Sequence, residues 1–171
     1  RAAHVRTLNG EVGSLSIIGA VSPPSADFSE PVTTHTKRYV RCFWALDATR
    51  AQARFYPAIH PLLSYSEDAD VLNTFWKEHG NPSWPAQRRR FLTLLEKQAR
   101  LERMARIVGK DALPPSQQQV LLSAELINEA FLRQSAFSPK DRFCSAERQI
   151  KMMNMISQFI DLSEAAIEQQ V

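Results

Sequence analysis

From residue 66 to the end of the chain, apolar residues recur at steps of three and four, a period that only helices satisfy. Ser66 is placed to cap a first helix, with Glu67 and Asp68 in its opening turn and Gly80 as its stop. A second helix is expected from about Pro85 to Gly109, with Phe91, Leu94, Leu95, Leu101, Met104, Ala105 and Val108 facing inward. Pro114-Pro115 opens a third, on which Val120, Leu121, Ala124, Ile127 and Phe131 form the apolar stripe. After Ser138-Pro139 a last helix carries Met152, Met153, Ile156, Phe159, Ile160 and Ile167. Short turns between amphipathic helices imply antiparallel neighbours, hence a bundle of four or more helices.

Residues 1–65 follow a different period. Gly13 to Val21 is a short apolar and β-branched run, expected to be a strand buried on both faces as in a parallel sheet. Prolines make Ser22 to Pro31 a loop, and Ser29 is the expected N-cap of a helix that begins near Pro31. Arg41 to Leu46 reads as a second strand and Ala48 to Arg54 as a short helix. Two strands do not stand alone in water, so this half is expected to be the end of a larger α/β domain with further strands before Arg1. The fold class is therefore mainly α, a helical bundle over residues 66–171 preceded by the last strands of an incomplete α/β domain over residues 1–65.

Composition excludes more than it proposes. Twenty-one basic against 18 acidic side chains leave a net charge of +3, too mild to argue for nucleic acid or a membrane surface. No apolar run approaches the roughly 20 residues of a spanning helix. Cys42 and Cys144 have no spacing partner and read as buried thiols in a reducing compartment. The chain opens on Arg1 rather than Met and shows no signal-peptide pattern, as expected of an excised domain.

No G-x-x-x-x-G-K-[ST] and no G-x-G-x-x-G occurs, so the chain has no phosphate cradle of its own. His4, His35, His60 and His79 share no metal-ligand spacing. No catalytic residue and no metal site is assigned. Arg88-Arg89-Arg90, Lys97, Arg100, Arg103 and Arg106 make one helix strongly basic. That face either docks an acidic partner or is a solvated surface supported by the i,i+4 pairs Glu96–Arg100 and Glu102–Arg106. Met152, Met153 and Met155 read as core filling or as a soft interaction surface. Tyr56 precedes Pro57, and a ring on a proline-stiffened loop has little freedom left to lose on stacking against a flat base; packing of the ring where loop meets bundle is the plainer alternative.

Several segments follow one another in a specific order: Gly19-Ala-Val-Ser-Pro-Pro24, Asp27-Phe-Ser-Glu-Pro-Val-Thr33, Phe43-Trp-Ala-Leu-Asp-Ala48, Pro57-Ala-Ile59 and Ser64-Tyr-Ser66. Ile107-Val-Gly109, Asp111-Ala-Leu-Pro114, Gln134 to Phe137 and Cys144 continue the series. Together they resemble the catalytic A subunit of V/A-type rotary ATPases, over essentially the whole chain. The resemblance implies a P-loop ATPase subunit that alternates with B subunits in a hexameric ring around a central stalk. ATP hydrolysis or synthesis there is coupled to proton or sodium transport. It also implies a cytoplasmic location, peripheral on the membrane and touching it only indirectly through the ion-translocating sector.

The same resemblance assigns residues. Tyr56 and Phe137, with Gln134 and Ala136 beside the latter, fall where the family stacks the adenine ring. The turn that includes Asp111, Ala112, Leu113, Pro114 and Pro115 falls where the family's helical hairpin meets the central stalk. ATP or ADP with Mg is implied for the full subunit and none for this chain alone, which is expected to be inactive by itself. Tyr56 replaces the family's usual Phe, Ser25-Ala26 its usual Gly-Gly, and Pro115-Ser116-Gln117 a more charged pattern. The rival expectation is a helical protein-interaction module that uses the basic helix and has no nucleotide role.

Overall fold

A computed structural model describes residues 3–169, apart from the side chains of Ala26 and Val108. The expected inward-facing Val108, the Ala26 side chain and Arg1 thus lie outside the described residues. The chain divides into two compact units, Arg1–Val40 and Arg41–Val171.

In the first unit, β1 (Ala3–Arg6) and β2 (Val12–Leu15) pair antiparallel, with Val5 opposite Gly13. Thr7 closes the turn between them: its amide donates to the Glu11 carbonyl at 2.8 Å, and its hydroxyl accepts from the Glu11 amide at 3.1 Å. The expected buried strand from Gly13 to Val21 is not formed. The strand stops at Leu15, and every residue of the hairpin is exposed, as are Ile17 and Ile18. Burial on both faces requires strands on either side and helices above and below, and among the described residues β2 has only β1 as a partner.

A 3-10 turn (Pro24–Ala26) leads to α1 (Pro31–Tyr39). Glu30, not the expected Ser29, caps α1. Its carboxylate accepts from the Thr33 amide at 2.5 Å and the Val32 amide at 3.0 Å. Ser29 is engaged elsewhere, donating its hydroxyl and its amide to Asp27.

The second unit opens with β3 (Cys42–Phe43), α2 (Ala48–Gln52) and β4 (Tyr65–Ser66). β3 and β4 pair antiparallel, and the Phe43 and Tyr65 rings stack at 5.9 Å across the pair. Four helices follow: α3 (Leu72–Glu78), α4 (Trp84–Val108), α5 (Pro115–Leu126) and α6 (Ala146–Glu168). A π-helical segment, Ile127–Leu132, extends α5. Ser66 does not cap α3, which begins six residues later; its hydroxyl accepts from the Asp68 amide at 3.3 Å in the connecting turn. The other boundaries follow their local chemistry. Gly109 ends α4 at φ 89°, Pro115 stands in the first turn of α5, and the Ser145 hydroxyl caps α6 through the Arg148 amide at 3.2 Å.

One core runs through the bundle. The Trp76 and Trp84 rings stack at 5.4 Å, and Phe91 meets Phe131 edge-on at 5.8 Å. Leu94, Leu95, Ala124, Ile127, Ile150, Met153, Ile156 and Ile160 fill the space between α4, α5 and α6. Gln119 is buried on α5 and satisfied by the Ser123 and Ser163 hydroxyls, each at 2.9 Å, tying α5 to α6. Of the three clustered methionines only Met153 is core. Met152 and Met155 line an apolar groove of about 320 Å³ between α5 and α6.

Candidate functional site

The site is built from the end of α2. Asp47 opens this helix by accepting from the Thr49 and Arg50 amides at 2.8 and 3.2 Å. At its other end the Phe55 amide bonds the Arg50 carbonyl at 2.9 Å and the Arg54 amide bonds the Ala51 carbonyl at 3.0 Å. These six-to-one and five-to-two bonds make a Schellman cap, and Arg54 accordingly takes the left-handed conformation at φ 55°. The cap folds Phe55 back over the helix, where it is 8% exposed. The next residue, Tyr56, is turned outward and 52% exposed, before a cis peptide bond to Pro57.

The π-helical segment delivers the second half of the site. Where the segment ends, the Gln134 amide donates to the Tyr56 carbonyl at 2.7 Å. Two turns far apart in sequence are thereby joined backbone to backbone. The turn beyond is held by Asp141, whose carboxylate accepts from the Ser135 amide at 2.6 Å and from Arg148 at 3.1 Å. On this turn Ala136 is exposed and Phe137 is 99% exposed. The Tyr56 and Phe137 rings make no contact with each other among the described residues, and neither is packed into a core.

The hairpin turn between α4 and α5 presents Asp111, Ala112, Pro114 and Pro115 to solvent. Leu113 is buried and shapes the turn from inside, its carbonyl accepting from the Gln118 side chain at 2.8 Å. It offers no surface to a partner, in contrast to its four neighbours.

Electrostatics concentrate on Arg50 and on α4. Burial lowers the Arg50 guanidinium below its usual value, with Asp47 and then Glu129 acting in the opposite sense. Arg90 pairs with Asp161 and with Glu164, the latter at 2.7 Å. Burial opposes its charge, but the two carboxylates together outweigh burial and raise it. The expected Glu96–Arg100 and Glu102–Arg106 pairs are not closed. Glu102 accepts instead from the Gln98 amide group at 2.9 Å. Among the described residues no group of three His, Cys, Asp or Glu side chains is placed to hold a metal, and no helix is long and apolar enough to cross a membrane.

Comparison with known proteins gives the family. Residues 73–171 match the model for the C-terminal domain of V and A type ATP synthase. Residues 1–66 match the nucleotide-binding domain of the ATP synthase alpha/beta family. The chain belongs to the family of V- and A-type ATP synthase catalytic A subunits.

It is 44% identical over its whole length to the A subunit of the A-type ATP synthase of Pyrococcus horikoshii, covering 18% of that protein. It is 49% identical over 91% of its length to the V-type ATP synthase alpha chain of Halothermothrix orenii, covering 27% of it. The chain thus spans less than a third of the length of these relatives. An ATP synthase subunit from Nanoarcheaum equitans shares the fold, with a TM-score of 0.66 over 82% of this chain and 32% of that one at 21% identity.

Sequence reasoning singled out Tyr56 and Gln134 and passed over Arg50, Phe55, Asn128 and Arg133, whose contacts link the end of α2 to the π-helical segment. The five-residue spacing of Arg50 and Phe55 across a helix end is a readable sign of a Schellman contact. Nothing local marks Asn128.

Proposed function

We propose that this chain is the carboxy-terminal part of the catalytic subunit of a rotary V/A-type ATPase, and that it supplies one side of the adenine pocket and a hairpin that meets the central stalk. The boundary lies near residue 65, with the end of the nucleotide-binding domain before it and the helical domain after it. Asp111, Ala112, Pro114 and Pro115 form the stalk-facing surface. In the complete enzyme, catalytic and B subunits alternate in a ring, peripheral on the membrane, and ATP hydrolysis or synthesis is coupled to proton or sodium transport.

The observation that carries the pocket is the 2.7 Å bond from the Gln134 amide to the Tyr56 carbonyl, which joins the backbones of the two turns that carry the exposed rings of Tyr56 and Phe137. Adenine needs two flat apolar faces, and such stacking contributes about 1–3 kcal/mol per base. The residues fit a base and do not fit the rest of a nucleotide. Neither a glycine-rich phosphate loop nor a metal cluster is present among the described residues, so no phosphoryl step is assigned to this chain.

In the assembled complex, Phe137→Ala is expected to raise the KM for ATP about tenfold while kcat changes less than about twofold, because base stacking is felt equally in ground and transition states. Steady-state kinetics check this, and an unchanged KM removes Phe137 from the pocket.

A further inference from the structure

The Schellman end of α2 brings Arg50 and Phe55 together by backbone geometry alone. The Arg50 guanidinium then lies over the Phe55 ring, 4.4 Å from its centroid. Its Nη2 donates to Asn128 Oδ1 at 2.9 Å. Asn128 is the second residue of the π-helical segment, and its Nδ2 donates onward to Gln98 Oε1 of α4 and to the Ala124 carbonyl, each at 3.0 Å. From the far side Arg133 approaches the same ring at 5.9 Å and donates to the Arg54 carbonyl at 3.5 Å. Phe55 is bonded to Tyr56, so the groups that fix one ring fix the backbone that carries the other.

We propose that Arg50 and Asn128 are positioning residues for Tyr56, forming a latch that holds the Tyr56–Pro57 turn against the π-helical segment and sets the affinity for the base. The proposal rests on the Tyr56–Phe137 pocket described above. The flat guanidinium covers a ring with its face while its edge donates to a carboxamide. The acceptor, Asn128, is itself oriented by Gln98 and Ala124, so its carbonyl cannot turn away without losing two further hydrogen bonds. A π-helical turn is often found where a side chain must be aimed at a functional site, and this one aims Asn128 at α2. Gln98 sits on the helix that runs to the hairpin tip, which connects the latch with the stalk-facing end of the bundle.

The test has two arms. In the complete catalytic subunit, within its complex, Asn128→Ala and Arg50→Met are each expected to raise the KM for ATP about fivefold with kcat changed less than about twofold. The double variant is expected to do no more than either single one, because both break the same link. Asn128→Asp keeps an acceptor for Arg50 but loses the Nδ2 donors to Gln98 and Ala124, and is expected to recover only part of the loss. In this chain without nucleotide, hydrogen exchange at the Gln134 amide is expected to quicken by a similar factor in Asn128→Ala and Arg50→Met.

Wild-type KM and wild-type Gln134 exchange in both single variants overturn the latch, as do effects that add in the double variant. If Phe137→Ala raises KM while Asn128→Ala does not, the pocket stands and the latch fails. If Phe137→Ala leaves KM unchanged while Gln134 exchange still responds to Asn128→Ala, the pocket fails and the link to base affinity falls with it.

Discussion

Arg54 shows how a single residue sets the site. It occupies the left-handed position that ends α2, at φ 55°, where glycine is the usual occupant and an L side chain is strained. Its amide donates to the Ala51 carbonyl and its carbonyl accepts from Arg133, while its side chain makes no hydrogen bond among the described residues. Arg54→Gly relieves the strain but gives the unfolded chain more freedom, and the first effect is the larger. The variant is expected to be more stable by about 0.5 kcal/mol, read as a rise in the urea midpoint at constant slope. An unchanged or lower midpoint shows that the cap is not strained.

At the scale of elements, α1 reports on its own cap. The Thr33 hydroxyl and amide and the Val32 amide all donate to the Glu30 carboxylate, and the Thr33 hydroxyl contributes most to holding it below the usual carboxylate range. A depressed folded value means that the stabilisation is complete above the unfolded value and is lost as pH falls through the folded one. Protection of the Thr33 amide from exchange is therefore expected to fall across the acidic window below the ordinary glutamate value of about 4.3. Glu30→Gln is expected to show lower protection that no longer varies across that window. A pH slope that survives in Glu30→Gln places the titration on another group.

The same scale explains what was legible beforehand. α4, α5 and α6 were readable because a helix states its period within a few turns, and Pro115 and Gly109 mark ends by local sterics, whereas α6 begins at Ala146, later than the start expected after Ser138-Pro139. The strands were not, because pairing depends on what lies beside them: the Gly13 to Val21 run has the composition of a buried strand, yet it is exposed beyond a two-strand hairpin. The π-helical register of Ile127–Leu132 was invisible, since its apolar spacing continues that of α5. Tyr56 was singled out by its place before Pro57 as well as by family resemblance, and Gln134 by resemblance alone, whereas the Arg50–Asn128 bond, 78 residues apart in sequence, leaves no pattern in either neighbourhood.

Taken whole, the proposed function gives the molecule base-recognition parts without the parts that handle phosphate. Hydrolysis requires a cradle for the γ-phosphate and a cation beside it, and neither a glycine-rich loop nor a metal-binding cluster occurs among the described residues. The isolated chain is expected to show no ATP turnover above background, measured in a preparation shown free of contaminating ATPase. Reproducible turnover from such a preparation places catalytic groups on this chain. The division of labour also predicts where damage is felt: changes at Tyr56 or Phe137 alter affinity, and changes at the hairpin alter how the helical unit meets its surroundings.

The 25 residues of α4 have one more consequence. At 1.5 Å per residue they make a rod about 37 Å long. Its first half is clamped by Trp84, Phe91, Leu94 and Leu95, while beyond Gln98 Ala105 alone is buried among the described side chains of the helix. A rod held mainly at one end multiplies angle into travel, so a tilt of about 5° at Leu95 carries Gly109, about 21 Å further on, through about 2 Å. A small change of angle at the clamp is thus, at the tip, more than half the length of a hydrogen bond.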